Sequence, residues 1–251
     1  WNDSDLRVFE KVDGTCIILY WDEENHQWCT GTRSVPEADL PINSQSLEIG
    51  DMTFSQLFWK ALAGTIRENE ETFGPENAEH TASRVAAIVD RLDKNVTYVF
   101  ELVSPHNQVV VWYPDPRVYL LAARRTSTGK EIRLDDIKMA HVRRPRTWNI
   151  NNAVSLAAFV DSANPAELEG AVVCDSTFRR LKVKNVSYVL AHKSKDSVTA
   201  SPRNALMAVI LEKLDDIVPL VPRAVADKML AMQAAYLQFC DKIDANFAAF
   251  K

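Results

Sequence analysis

Two kinds of hydrophobic spacing alternate along the chain. After a short polar opening, Thr15 to Trp21 (TCIILYW) is β-branched and aromatic. Trp28 to Val35 reads as its partner across the polar stretch Asp22 to Gln27, which predicts a β-hairpin. Thr53 to Arg67 switches to helical spacing, with Phe54, Leu57, Phe58, Ala61, Leu62 and Ile66 recurring at three and four. Asn77 to Leu92 predicts a second helix with Ala82, Val85, Ala86 and Val89 on one face. Strand patterns return at Val96–Val103, Gln108–Tyr113 and Val118–Arg124, divided by turns carrying Pro105, His106, Asn107, Pro114 and Pro116. A short helix over Asn151–Ser162 then precedes strands at Gly170–Cys174 and Arg179–Val183. From Pro202 onward the pattern is amphipathic helix, Asn204–Ile217 and Arg223–Phe250, with Pro219 and Pro222 at the break. The order predicts an α+β body over residues 1–200, antiparallel sheets flanked by helices, and a small all-helical C-terminal unit over residues 201–251.

Composition narrows the class without naming it. The chain has 251 residues, 47% of them apolar, enough for a sizeable core. No apolar run reaches the roughly 18 residues that cross a bilayer, and no signal-peptide order opens the chain, so a cytoplasmic setting with no membrane partner is expected. Cys16, Cys29, Cys174 and Cys240 are scattered without metal-ligand spacing, which predicts buried free thiols. The net charge of −5 gives no global attraction to polyanions, but basic residues crowd Arg117 to Arg146, and Arg179 to Lys195 carries no acid at all. Those stretches are candidates for a phosphate-backbone surface, with Arg124, Arg125, Arg143, Arg144 and Arg146 available to hold it.

The sharpest local feature is Glu10-Lys11-Val12-Asp13-Gly14-Thr15, a lysine set just before a glycine turn that feeds a buried strand. Three further pieces follow in order: Phe100-Glu101-Leu102-Val103, Glu169-Gly170-Ala171-Val172-Val173, and Leu181-Lys182-Val183-Lys184. Each is common by itself; their conjunction, each on or beside a predicted strand, is what carries information. The set K-x-D-G, E, E-G-x-V and K-x-K resembles the motifs of bacteriophage ATP-dependent RNA ligases of the tRNA-repair class, within the covalent nucleotidyltransferase superfamily. The likeness covers most of the chain, including Glu101 to Asp136, the stretch Asn185 to His192 read as a short helix, and Tyr236 to Asp241.

That resemblance implies the nucleotidyltransferase fold and a three-step reaction. Lys11 takes AMP from ATP with loss of pyrophosphate, AMP passes to the 5′-phosphate end of an RNA, and a 3′-hydroxyl displaces it; a nicked tRNA is the implied natural partner. The amine must be neutral to attack, so neighbouring cations favour the chemistry, and Lys182 and Lys184 are assigned that task together with charge stabilisation in the transition state. Glu169 is assigned to Mg2+ or Mn2+, Glu101 to the ribose hydroxyls, Glu10 to the adenine and Arg33 to phosphate or the RNA end. Two other readings compete with it. DNA ligases and mRNA capping enzymes share K-x-D-G but usually append a barrel, whereas here the K-x-K strand is followed by helix patterns. A non-catalytic RNA-end binder is the other alternative, and it has no use for all five of Lys11, Glu101, Glu169, Lys182 and Lys184. The chain also opens on Trp1, and the family's upstream basic residues for the outer phosphates of ATP have no counterpart in the ten residues before Lys11; sealing of a pre-adenylylated end is therefore expected to be the more robust activity. The apolar stripe Leu206, Val209, Ile210, Leu214, Met229, Met232, Leu237 and Phe239 predicts that the C-terminal helices pack on the body, with a partner-binding face and selection of a structured RNA as the alternatives.

Overall fold

The computed structural model describes residues 6–42, 52–64, 78–139, 142–189, 192, 202–210, 214–218, 221 and 223–249. Its strands are β1 (Arg7–Glu10), β2 (Thr15–Asp22), β3 (Gln27–Thr32), β4 (Val96–Val103), β5 (Arg117–Arg125), β6 (Glu131–Ile132), β7 (Thr147–Trp148), β8 (Gly170–Cys174) and β9 (Arg180–Lys184). Its helices are α1 (Phe54–Gly64), α2 (Ala78–Val89), α3 (Ala153–Ser162), α4 (Pro202–Ile210), α5 (Leu214–Ile217) and α6 (Arg223–Ala249). The strands form two antiparallel sheets, β3-β2-β4-β5-β6 and β7-β1-β8-β9. The expected α+β architecture is the one observed.

Period-two alternation assigns each sheet two faces with different tasks. In the five-stranded sheet, Ile17, Leu19, Phe100, Leu102, Val118 and Leu120 point into a core shared with Leu57, Phe58, Ala61 and Leu62 of α1. Phe58 meets Phe100 edge-on at 5.3 Å between ring centroids. In the four-stranded sheet, Val8, Ala171 and Val173 bury against Leu156 and Val160 of α3. The helices therefore cover the two outer faces, and the opposite faces of both sheets contribute to one cavity.

Helix starts follow local capping chemistry. Thr53 Oγ1 accepts from the Gln56 N–H at 3.2 Å while Gln56 Oε1 accepts from the Thr53 N–H at 3.0 Å, so α1 opens on a capping box. Asn152 Oδ1 accepts from the Ser155 N–H at 2.7 Å to open α3. In α2 the core contact comes from Ile88 and Val89, while Ala86, expected on the buried face, is exposed.

Several elements differ from the sequence pattern. Gln108–Tyr113 is not a strand: β5 pairs directly with β4, and the Val110 and Val111 N–H groups donate to the Asp13 side chain instead of to a neighbouring strand. β3 stops at Thr32, so Arg33 lies beyond the strand. β1, β6 and β7 appear where the pattern shows only polar or irregular chain. Residues 65–67 and 77, expected within helices, lie outside the described residues. Of the thiols, Cys174 is buried, whereas Cys16, Cys29 and Cys240 are half-buried. The C-terminal helices build a core of their own from Ala205, Ala208, Val209, Leu214, Ile217, Val221, Ala226 and Met229. Leu206, Ile210, Leu237 and Phe239 of the expected stripe are exposed. Among the described residues no helix is long and apolar enough to cross a membrane.

Candidate active site

The four-stranded sheet supplies the cavity floor. Antiparallel register sets Phe9, Val172 and Lys182 in one row across β1, β8 and β9, and Arg7, Cys174 and Arg180 in the next; Lys11, just past β1, donates its N–H to the Gly170 carbonyl at 2.9 Å, and Gly170 faces Lys184. Successive rows lie about 7 Å apart by strand rise. The five-stranded sheet contributes Cys16 and Glu101, directly paired across β2 and β4, and Leu121. Leu121 is the extra residue where the β4–β5 register shifts, Val99 facing Ala122 and Phe100 facing Leu120; the bulge lets Val118, Leu120 and Ala123 all face the helix-side core while Leu121 lines the cavity.

The cavity encloses about 670 Å3, and Glu10, Lys11, Arg33, Glu101, Glu169, Lys182 and Lys184 all line it. The structure thus brings together the seven residues assigned to nucleotide, metal or catalysis, but not the arginines Arg124, Arg125, Arg143, Arg144 and Arg146 offered for the phosphate backbone. At its centre is Glu169, buried to 3% exposure, whose carboxylate oxygens meet Lys11 Nζ at 2.5 Å and Lys184 Nζ at 2.8 Å. Glu101 lies close enough that the Glu169 charge acts on it. Burial first, with that neighbour adding to it, pushes its carboxyl up from 4.5 to about 7, while Lys11 and the Gly14 N–H, which donates to Glu101 Oε1 at 3.2 Å, pull the other way. Burial also raises the Cys16 thiol, with Glu101 adding to it and Arg33 and Lys182 opposing.

The two motif glycines are required by close approach. A Cβ on Gly14 would overlap the Leu102 carbonyl oxygen and lie 2.8 Å from Val103 Cγ1. A Cβ on Gly170, whose φ is +153°, would overlap the Val183 carbonyl oxygen and lie 2.9 Å from the Lys184 Cα. These contacts hold the Lys11 turn against β4 and hold β8 against the K-x-K strand.

Asp13 organises the rest of the turn. It is 4% exposed; its Oδ2 accepts from the Val110 and Val111 N–H groups at 2.9 and 2.8 Å, and its Oδ1 accepts from the Tyr188 hydroxyl at 2.7 Å. Burial, reinforced by Asp13, raises the Tyr188 phenol well above its ordinary value and keeps it a donor. Tyr188 belongs to a helical turn, residues 186–189, that starts on the fully buried Asn185: Asn185 Oδ1 accepts from the Tyr188 N–H at 2.9 Å, and Nδ2 donates to the Val160 and Ala163 carbonyls at 2.7 and 2.9 Å. A helix after the K-x-K strand was expected, and this turn realises it.

Three of the basic residues offered for phosphate binding have partners within the protein, Arg124 reaching Glu131 at 3.5 Å. Arg146 clasps Glu10 with Nε at 2.9 Å and an Nη at 3.0 Å, and its carbonyl accepts from the Glu10 N–H at 2.8 Å. Arg144 donates to the Leu134 and Ile137 carbonyls at 3.0 and 2.9 Å. Sequence reasoning also missed Arg180, Glu131 and His192 on the cavity wall; Arg180 pairs with Glu131 and thereby joins the two sheets. Only the basic character of Arg179 to Lys195 pointed toward Arg180.

The donor set suits a hydrated cation better than a caged one. Glu169 and Glu101 are hard oxygen donors lining the same cavity, and among the described residues no group of three or more His, Cys, Asp or Glu is arranged to hold a metal. Mg2+ keeps several waters and completes its shell with substrate phosphates, so the residues fit it.

The architecture matches that of a solved enzyme, Naegleria gruberi RNA ligase with PPi, with a TM-score of 0.50 at 13% identity, covering 76% of this chain and 53% of that one. Residues 1–196 match the RNA ligase family, and the chain belongs to it. A putative bifunctional polynucleotide kinase/RNA ligase of Autographa californica nuclear polyhedrosis virus is 27% identical over 221 residues, 87% of this chain and 28% of the viral protein. An RNA ligase of Rhodothermus phage RM378 is 23% identical over 276 aligned residues, 96% of this chain and 57% of the phage protein. The chain thus spans well under two thirds of the length of these relatives.

Proposed function

We propose that this chain is the catalytic unit of an ATP-dependent RNA ligase that joins a 5′-phosphate to a 3′-hydroxyl through lysyl-AMP and RNA-adenylate intermediates. The observation that carries the reading is the convergence of Lys11 and Lys184 on the buried Glu169 carboxylate inside a cavity of nucleotide size that Lys182, Arg33 and Glu101 also line. Family membership of residues 1–196 supports it independently.

In the first step the Lys11 ion pair with Glu169 opens, Nζ gives a proton to solvent and as a neutral amine attacks the α-phosphorus; the bond to the bridging oxygen breaks, pyrophosphate leaves, and the new P–N nitrogen sheds its second proton to water. Lys182 and Lys184 stabilise the charge on the phosphoryl oxygens, where positioning and electrostatics do most of the work. Glu169, with Glu101 beside it, would hold a divalent cation, which neutralises phosphate charge when bound. Phe9 and Val172 on the floor and Leu121 opposite make an apolar slot for the base, with Glu10 held at its edge by Arg146. Glu101 accepts from a ribose hydroxyl, and Arg33 at the rim meets phosphate. Residues 1–200 act as the adenylation domain and residues 201–251 as a helical unit that favours structured RNA such as nicked tRNA, in the cytoplasm of the cell where the protein works.

The test is sealing of a 5′-phosphorylated RNA with ATP and Mg2+, with a pre-adenylylated RNA and the matching DNA as parallel substrates. Sealed RNA, lost on Lys182→Ala or Glu169→Ala, is expected. Activity restricted to the pre-adenylylated strand limits the reading to the final step, preference for DNA ends replaces RNA by DNA, and binding without sealing of any substrate makes the chain an RNA-end binder.

A further inference from the structure

Beside the turn that bears Lys11, outside the residues that line the cavity, stands a side chain that the steps above do not use. Trp112 is 52% exposed, whereas Trp21, Trp28, Trp59 and Trp148 are half-buried. Its backbone is held from both sides by the turn that bears Lys11. Before it, the Val110 and Val111 N–H groups donate to Asp13 Oδ2; after it, the Tyr113 hydroxyl oxygen accepts from the Asp13 N–H at 3.3 Å. Val109 lines the cavity, and Val110 and Val111 are buried with Tyr188, so the chain runs from the cavity wall to the surface at Trp112. A large aromatic ring is thus mounted on fixed backbone, open to solvent, beside the nucleophile turn.

Single-stranded RNA is bound by stacking of unpaired bases on such rings, and an indole has few rotatable bonds to immobilise. We propose that Trp112 is a stacking platform for a nucleobase near the RNA end being joined, which makes it a specificity determinant for unpaired ends. The inference rests on the RNA ligase reading and adds to it the chemical class of the end that is recognised.

The experiment measures sealing of a single-stranded 5′-phosphorylated RNA by wild type, Trp112→Ala, Trp112→Leu and Trp112→Phe, alongside lysyl-AMP yield from ATP, a step that involves no RNA. Trp112→Ala and Trp112→Leu are expected to raise the apparent KM for RNA about 5- to 100-fold with kcat at saturation retained, and Trp112→Phe to recover most of the loss. Wild-type KM in Trp112→Ala overturns the proposal, as does a fall in lysyl-AMP that parallels the fall in sealing, because that marks Trp112 as structural. If wild type neither forms lysyl-AMP nor seals a pre-adenylylated strand, the ligase reading fails by itself. Binding of a fluorescent single-stranded RNA to wild type and Trp112→Ala then decides the platform separately, equal affinities counting against it.

Discussion

Replacing Asp13 by alanine removes one acceptor from three buried donors: the Val110 and Val111 N–H groups and the Tyr188 hydroxyl. A buried donor left without a partner costs about 1–3 kcal/mol, so three of them cost about 3–9 kcal/mol, reduced where water enters the space left by the carboxyl. Asparagine is a different perturbation. Its Oδ1 can still accept from both amides, and its Nδ2 then faces the Tyr188 oxygen, whose hydroxyl can turn to accept; about 1–2 kcal/mol of lost charge-assisted bonding is expected. Urea unfolding of wild type, Asp13→Ala and Asp13→Asn measures the difference. The chemistry should fall with the geometry, since a displacement of about 1 Å at a reacting group can cost about 100-fold in rate. Lysyl-AMP formation is therefore expected to suffer more in Asp13→Ala than in Asp13→Asn. A stability loss below about 1 kcal/mol in Asp13→Ala, or equal losses in the two variants, refutes the reasoning.

Glu101 makes stability depend on pH in an unusual direction. Its carboxyl is raised from 4.5 to about 7 in the folded protein, so between those values the folded chain keeps a proton that the unfolded chain releases. This group's contribution is fully present below the lower value and is lost as pH rises through the upper one, with a ceiling of about 3 kcal/mol. Glu101→Gln stays neutral, so its stability relative to wild type should grow between pH 5 and pH 8 in chelator-treated samples; a flat difference in thermal melts across that range contradicts the assignment. Gly170→Ala should force β8 from β9 where Lys184 faces Gly170, costing about 1–3 kcal/mol and weakening the Lys184 contact to Glu169. Unchanged stability together with unchanged nucleotide affinity would show that the strands absorb the added methyl.

That Lys11, Glu101, Glu169, Lys182 and Lys184 share one cavity was legible because the proposed chemistry needs those side-chain types, and they occur in local motifs. Strong periodicity made Thr15–Asp22, Phe54–Gly64 and Val96–Val103 legible too. Gln108–Tyr113 misled because a valine run has strand composition, while the partner that takes its N–H groups is a side chain nearly a hundred residues away. The four-residue β1 and the two-residue β6 and β7 are too short for a pattern to register. The Arg146 clasp on Glu10 and the Arg180 pair with Glu131 depend on which strands lie opposite each other, and tertiary register leaves no trace in local spacing. Arginines that looked available for RNA were, for that reason, partly spoken for.

The central claim is that Lys11 carries AMP. Incubation with α-labelled ATP and Mg2+, denaturation, and peptide mass spectrometry test it directly. An acid-labile label on the peptide containing Lys11, absent from Lys11→Ala, is the predicted result; a label on another residue, or one that persists in Lys11→Ala, would contradict the account.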